Sequence, residues 1–148
     1  MLLRRDRAMT GIAIMLDVAF NAGHGAVVSA AEIAERLGQA RRGIEPVLQA
    51  MARAGLLDSL RGPRGGYRLG RPRRELRLSE VVAAACDGDP PTEAPTGSLQ
   101  SAVVLPFWDE LEALCHARLE ECTIDDLMKR AVRAGLQRPA AVPLNFAI

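Results

Sequence analysis

A mainly α-helical fold with a small β-wing is predicted by three features of this sequence. The first is the string RGPRGGYRL, Arg61 to Leu69, which lies between the apolar Leu56-Leu57 and the strand-like Tyr67-Arg68-Leu69. Glycine permits positive φ and proline fixes φ near about −65°, so this composition makes a sharp turn between two short strands. The second is a pair of helix-periodic segments ahead of it, stopped by Gly38 and Gly55. The third is a longer apolar stripe at helical spacing in the second half. Helix, helix, strand, basic turn, strand is the plan of a winged helix-turn-helix, here extended by a long C-terminal helix.

Each element has its own signal. Ile12, Met15, Leu16 and Ala19 place helix one over Ala8 to Phe20, and Gly23-His24-Gly25 breaks it. Val27-Val28 is a short apolar entry to the next element. Ser29 and Glu32 form a capping box, in which side chains satisfy two helix-end N–H groups reciprocally. Helix two then runs from Ala30 to Leu37, with Ile33 and Leu37 inward, and Gly38 ends it. Ile44, Val47, Leu48 and Met51 form the apolar face of helix three. Pro46 costs about 3 kcal/mol inside a helix. Helix three is therefore expected to begin late, near Ile44, or to have an irregular first turn.

Beyond the wing, Arg71-Pro72-Arg73-Arg74 closes the second strand, and Ser79 is expected to cap a short helix ending near Ala85, with Val81, Val82 and Ala85 as its contacts. Asp87 to Gly97 is rich in proline, glycine and threonine and reads as a linker. A long helix is expected from Ser98 to Glu121, kinked or restarted at Pro106. Thr123 and Asp126 cap a last helix ended by Gly135. The expected organisation is a winged-helix DNA-binding domain over 1–86, a linker over 87–97, dimerisation helices over 98–135 and a flexible tail over 136–148.

Bulk properties narrow the class. The chain has 148 residues, 49% of them hydrophobic, 25% charged and only five aromatic (one Trp, one Tyr, three Phe). No apolar run approaches the roughly 18–20 residues of a membrane span, and Met1 to Arg5 is not followed by a secretory apolar region, so a cytoplasmic protein is expected. Cys86, Cys115 and Cys122 do not suggest a disulfide framework. No P-loop, dinucleotide fingerprint or nucleophile–base constellation is present, which argues against an enzyme. The net charge of +1 hides an asymmetry: residues 1–77 hold 14 arginines against 7 acids, and residues 78–148 hold 5 basic residues against 11 acids. A basic half suits a polyanion partner.

Double-stranded DNA is that partner on the local pattern. In helix-turn-helix docking the start of the second helix reaches base edges. Those positions hold Gln39, Arg41, Arg42 and Glu45. Arginine grips guanine O6 and N7 with two bonds, and glutamate accepts from cytosine N4 or orients an arginine. In the wing, Arg61 and Arg64 would neutralise phosphates or enter the minor groove. Gly62 and Pro63 shape the turn, and Gly65 and Gly66 allow close backbone approach. Ser29 and Arg7 are further candidates for backbone contact, while Tyr67 packs under the wing.

These strings carry a family likeness. MLDVAF at 15–20, SAAEIAERLG at 29–38, IEPVLQAMARAGLL at 44–57, RGPRGGYRL at 61–69, LSEVVAA at 78–84 and Trp108 with TIDDL at 123–127 resemble the Rrf-two family of bacterial winged-helix regulators, the IscR/NsrR type. The resemblance covers about residues 8 to 128. It implies a homodimeric transcription factor, usually a repressor, whose long helix crosses its partner. Val104, Trp108, Leu111, Cys115, Leu119 and Cys122 form an apolar stripe that suits such a dimer interface.

One departure stands out. Many family members hold an iron–sulfur cluster through three cysteines in the loop before the dimer helix, whereas residues 87–101 here contain neither cysteine nor histidine. Cys86 precedes that loop, and Cys115 and Cys122 lie beyond it. Glu112 and His116 near Cys115 do not make a convergent ligand set. The expectation is therefore no metal and no cofactor. Two alternatives remain open: a thiol- or small-molecule-responsive regulator using Cys115, Cys122 or the 87–101 loop, and a winged helix that binds protein.

Overall fold

Helix α1 (Arg5–Asn21) buries Gly11, Ile14, Met15, Val18 and Ala19, a stripe at intervals of three and four. The computed structural model describes residues 4–23, 25–88 and 96–137. Five other elements rest on α1: helices α2 (Ala30–Leu37), α3 (Arg41–Arg53), α4 (Leu78–Cys86) and α6 (Ile124–Arg133), and strand β2 (Gly66–Leu69). Ile33, Ile44, Leu48, Met51, Leu56 and Leu76 close the core around it and are at most 1% exposed.

Helix α2 begins as its sequence predicts. The Ser29 hydroxyl accepts from the Glu32 N–H at 3.2 Å, and the Glu32 carboxylate accepts from the Ser29 N–H at 2.8 Å. The Ser29 backbone bond holds the Glu32 carboxyl below its usual range. Near the other end of α2, Arg36 Nε and Nη2 each donate to Asp17 of α1 at 2.8 Å. This two-pronged pair fixes α2 on α1 with more directional control than a lysine gives.

Helix α3 starts at Arg41, three residues ahead of Ile44, so the late start is corrected. Its first turn is tight, with the Gly43 N–H donating to the Ala40 carbonyl at 2.9 Å. Pro46 is accommodated because it and Arg42 are both exposed. The Arg42 carbonyl, which would have accepted from residue 46, can be hydrated there instead.

The wing is an antiparallel pair, β1 (Leu57–Leu60) and β2, in register from Leu57 opposite Leu69 to Leu60 opposite Gly66. Val28 joins its edge through reciprocal backbone bonds with Tyr67 at 2.8 and 2.9 Å. Helix α4 starts at Leu78, so Ser79 is not its cap. Ser79 is buried within the first turn and its hydroxyl donates to Glu120. The Glu80 carboxylate accepts from the Arg77 N–H at 3.2 Å and closes the helix start in its place.

Helix α5 (Leu105–Glu120) follows a π-helical turn at Gln100–Val104, and Pro106 sits in its first turn, the new start that proline favours. Helix α6 is capped by Thr123 with Asp126. It does not stay with α5. Ile124 and Met128 enter the same core as Ile14, and the chain before α6 forms a bridge with the chain before α4. The Leu78 N–H donates to Cys122 and the Ile124 N–H to Leu76, both at 2.9 Å. Asp125, buried in this seam, receives Arg73 at 2.6 Å and Lys129 at 2.9 Å. By packing, α6 thus joins the body built on α1. Most of the 87–97 linker and nearly all of the 136–148 tail lie outside the described residues.

The hydrogen bond from Lys129, aided by the charge of Arg73, holds the Asp125 carboxyl below the ordinary carboxylate range. Stability from a depressed carboxylate is fully present above about pH 4 and is lost as pH falls through the lowered value. Asp125→Asn should therefore unfold at lower urea concentration than the wild type at pH 7. The gap should narrow toward pH 3; a gap that stays constant with pH would contradict this account.

Candidate nucleic-acid interface

The edge expected to meet DNA lies where α2 turns into α3. Ser29 and Glu32 start α2, Arg36 ties it to α1, and Gly38 ends it at φ +62°, which directs the chain into α3. The apolar face of α3 is fully engaged in the core, so its opposite face and first turn are left to solvent. Arg41 and Arg42 are exposed at that start. Arg41 Nε donates to Glu45 Oε1 at 2.9 Å, one helical turn on, so Glu45 orients Arg41. Arg42 has no ion pair among the described residues. Gln39 is exposed in the preceding turn, and its Nε2 donates to the Thr10 hydroxyl of α1 at 3.3 Å. A side chain tethered in this way has lost part of its rotamer freedom before any partner arrives.

Ser29 stands apart from this set. Its hydroxyl donates to the Glu32 carboxylate at 2.7 Å and its N–H donates to the same group, so both donors are committed to the cap. The structure places Ser29 at the helix start and not among the free donors. Arg7 lies half-buried in the first turns of α1.

The wing presents Arg61, Gly62, Pro63 and Arg64, all exposed. Gly62 turns the chain at φ +116° and its carbonyl accepts from the Gly65 N–H at 2.9 Å. Neither Arg61 nor Arg64 has a carboxylate partner among the described residues. Arg68 differs, for it pairs across the strands with Asp58 at 3.3 Å. The close approach at Gly65 and Gly66 is internal. A Cβ on Gly66 would meet the Val28 carbonyl oxygen at 2.5 Å, so this glycine is needed for the wing to lie on the Val28 strand. Tyr67 is half-buried against the core beneath the wing.

A second surface runs from Leu99 through the π-helical turn into α5, and neither segment buries any of its residues. Leu99, Val103, Phe107 and Leu114 expose 57% or more of their area. Large apolar exposure concentrated along one helix marks an interaction face. The stripe read from the sequence is divided by the structure. Val104 is exposed, while Trp108, Leu111, Cys115 and Leu119 are half-buried. Cys122 is only 8% exposed and belongs to the protomer's own core. The apolar row at Leu99, Val103, Phe107 and Leu114 was missed from sequence, although its spacing of one or two helical turns was the available signal.

The three cysteines lie in separate places, Cys86 at the end of α4, Cys115 within α5 and Cys122 in the core before α6. Among the described residues no three His, Cys, Asp or Glu side chains gather as a metal site, and no helix is long and apolar enough to cross a membrane.

Known proteins share this arrangement. A family model described as "Rrf2: Iron-dependent Transcriptional regulator" matches residues 5–130. The HTH-type transcriptional regulator IscR of Vibrio atlanticus is 31% identical over 126 residues, covering 80% of this chain and 70% of that protein. The IscR of Cereibacter sphaeroides is 29% identical over 121 residues, covering 77% and 78%. Among solved structures, T. potens IscR matches with a TM-score of 0.68 and 25% identity over 90% of each chain. CymR, the global cysteine regulator of B. subtilis, shares the fold with a TM-score of 0.64 at 21% identity, covering 84% of this chain and 94% of its own. The family match begins at the first residue of α1 and ends within α6. It therefore takes in α3, the wing and α5 together, and the chain belongs to the Rrf2, or Rrf-two, family of DNA-binding transcriptional regulators.

Proposed function

We propose that this protein is a homodimeric, sequence-specific repressor that works without an iron–sulfur cluster. The observation that carries the DNA reading is the placement of three exposed arginines without carboxylate partners, Arg42 at the start of α3 and Arg61 and Arg64 on the wing. In this reading, the first turn of α3 enters the major groove. Arg42 and the Glu45-oriented Arg41 take base edges, and Gln39 stands beside them. The wing holds register: Arg61 and Arg64 neutralise phosphate or enter the minor groove, and Gly62 and Pro63 set their turn. Arg7 is a further backbone contact.

The unburied apolar row of α5 supports the homodimer, because a second copy of the same row covers it. Two reading heads then meet half-sites roughly 34–36 Å apart, or a multiple of that spacing. Within that interface Val104, Trp108 and Leu111 flank the exposed row, while Cys115 and Leu119 lie on the side of α5 that faces α1. Repression is what the family likeness implies.

The family description names iron, and the donors here do not fit a cluster. Ligation needs thiolates that converge. Cys122 is enclosed by the core, Cys86 and Cys115 lie on different helices, and the loop that would carry ligands has no cysteine or histidine. Burial of Cys122 also removes it from a thiol switch across the dimer and leaves Cys115 as the thiol that alternative would use.

Arg64→Ala should weaken binding to all DNA sequences and reduce the slope of log affinity against log salt by about 1. Arg42→Ala should alter sequence preference, with a loss of about 1–3 kcal/mol at one position. Both are read by binding titrations on a fragment selected from the source genome; unchanged affinity in both variants would sink the assignment. Phe107→Glu with Leu114→Glu should sediment as a folded monomer where the wild type sediments as a dimer. Protein purified without oxygen should carry less than stoichiometric iron and sulfide, and a full complement of both would refute the cluster-free reading.

A further inference from the structure

Helices α1, α4 and α5 leave an open groove of about 400 Å³ between them. Ligand pockets span roughly 300–1,000 Å³ and are mostly apolar with a few fixed polar groups. This groove has that character. Ala8 and Ile12 of α1, Val82 of α4 and Leu119 of α5 form its walls, with Met9 and the Cys115 thiol beside them. Its charged groups are Arg5, the first residue of α1, and Arg118, in the last turn of α5. No acidic residue is among its lining groups.

Both guanidinium groups are available. Arg5 is exposed and has no ion pair among the described residues. Arg118 pairs with Glu121 at 3.0 Å, but the two side chains are 63% and 68% exposed. An exposed pair of this kind is weak and gives way readily to a better placed anion. A cation or a polyol would find no acceptor side chain here. An apolar tail with one anionic head satisfies both the walls and the rim.

We propose that this groove is an effector site for a single-headed amphipathic anion, of the class of medium-chain carboxylates. The inference rests on the DNA-binding dimer proposed above. The groove lies where the body that holds the reading helix meets α5, the arm that joins it to a second body. A tail between α1 and α5 changes the angle of that arm, and with it the spacing of the two reading heads. Regulation then acts through half-site spacing and leaves the base-reading residues untouched.

Calorimetric titration of the full chain, free of DNA, tests this with octanoate and 1-octanol as probes at fixed ionic strength. Octanoate should bind saturably, one molecule per chain, and 1-octanol at least about tenfold more weakly, since a charge-assisted bond is lost. Ala8→Trp should fill the groove and abolish octanoate binding while ligand-free DNA affinity stays at the wild-type level. Arg5→Gln with Arg118→Gln should remove the preference for octanoate over 1-octanol and keep the weak binding of both. Octanoate should change wild-type DNA affinity and leave Ala8→Trp unaffected. The proposal is overturned if octanoate does not saturate, if the alcohol binds equally, or if Ala8→Trp still binds. It is also overturned if Ala8→Trp shifts the monomer–dimer equilibrium while the wild type binds no octanoate, which would make the groove a subunit contact. Any of these results with ligand-free DNA affinity intact removes the effector site alone; loss of specific DNA binding by ligand-free wild type removes the reading beneath it.

Discussion

Burial of one helix stripe governs the rest of this molecule. Ile14, Met15 and Val18 of α1 are wholly enclosed, and α2, α3, α4, α6 and β2 all take position against that helix. Each such side chain contributes about 1.5–3 kcal/mol when fully buried. The pose of α3 is therefore a result of core packing. Two polar links refine it, the Asp17–Arg36 pair across α1 and α2, and the Gln39–Thr10 bond from the turn back to α1. The first turn of α3 is held from behind while its front stays open.

Some arginines of the basic half are met by carboxylates and others are not. Arg36, Arg68, Arg71 and Arg73 are paired with Asp17, Asp58, Glu80 and Asp125. Arg77 lies beside Glu120. These charges are met within the protein and add little to the field felt by a distant polyanion. Arg42, Arg61 and Arg64 are exposed on α3 and the wing. A net charge counted over half the sequence says that a polyanion is suitable. The distribution of unpaired guanidinium groups says where it would be met, and that distribution arises from folding.

Local signals in the sequence were readable and long-range ones were not. The capping boxes at Ser29 and Thr123 are complete within four residues, so their helices were placed well. Ser79 was misplaced because a serine near a helix start resembles a cap; its actual partner, Glu120, comes from a helix 41 residues away. Pro46 looked incompatible with an early start because sequence alone does not reveal that its face of α3 is exposed. On α5, the periodic row ran on into Cys122, which the core had claimed. The four arginines at the start of α3 and on the wing were legible by position. That Glu45 orients Arg41, and that Ser29 has no donor to spare, required the fold.

The seam between the chain before α4 and the chain before α6 bears on how the protein is made. Leu76 and Ile124 are joined by a backbone bond across 48 positions of sequence, and Asp125 meets Arg73 in the same place. Synthesis runs from the N-terminus, so the wing and its arginines leave the ribosome well before Ile124 exists. During that interval the unfinished body lacks the strand-like partner and the apolar plug that α6 supplies. The body is thus closed by residues that follow α5 in the chain.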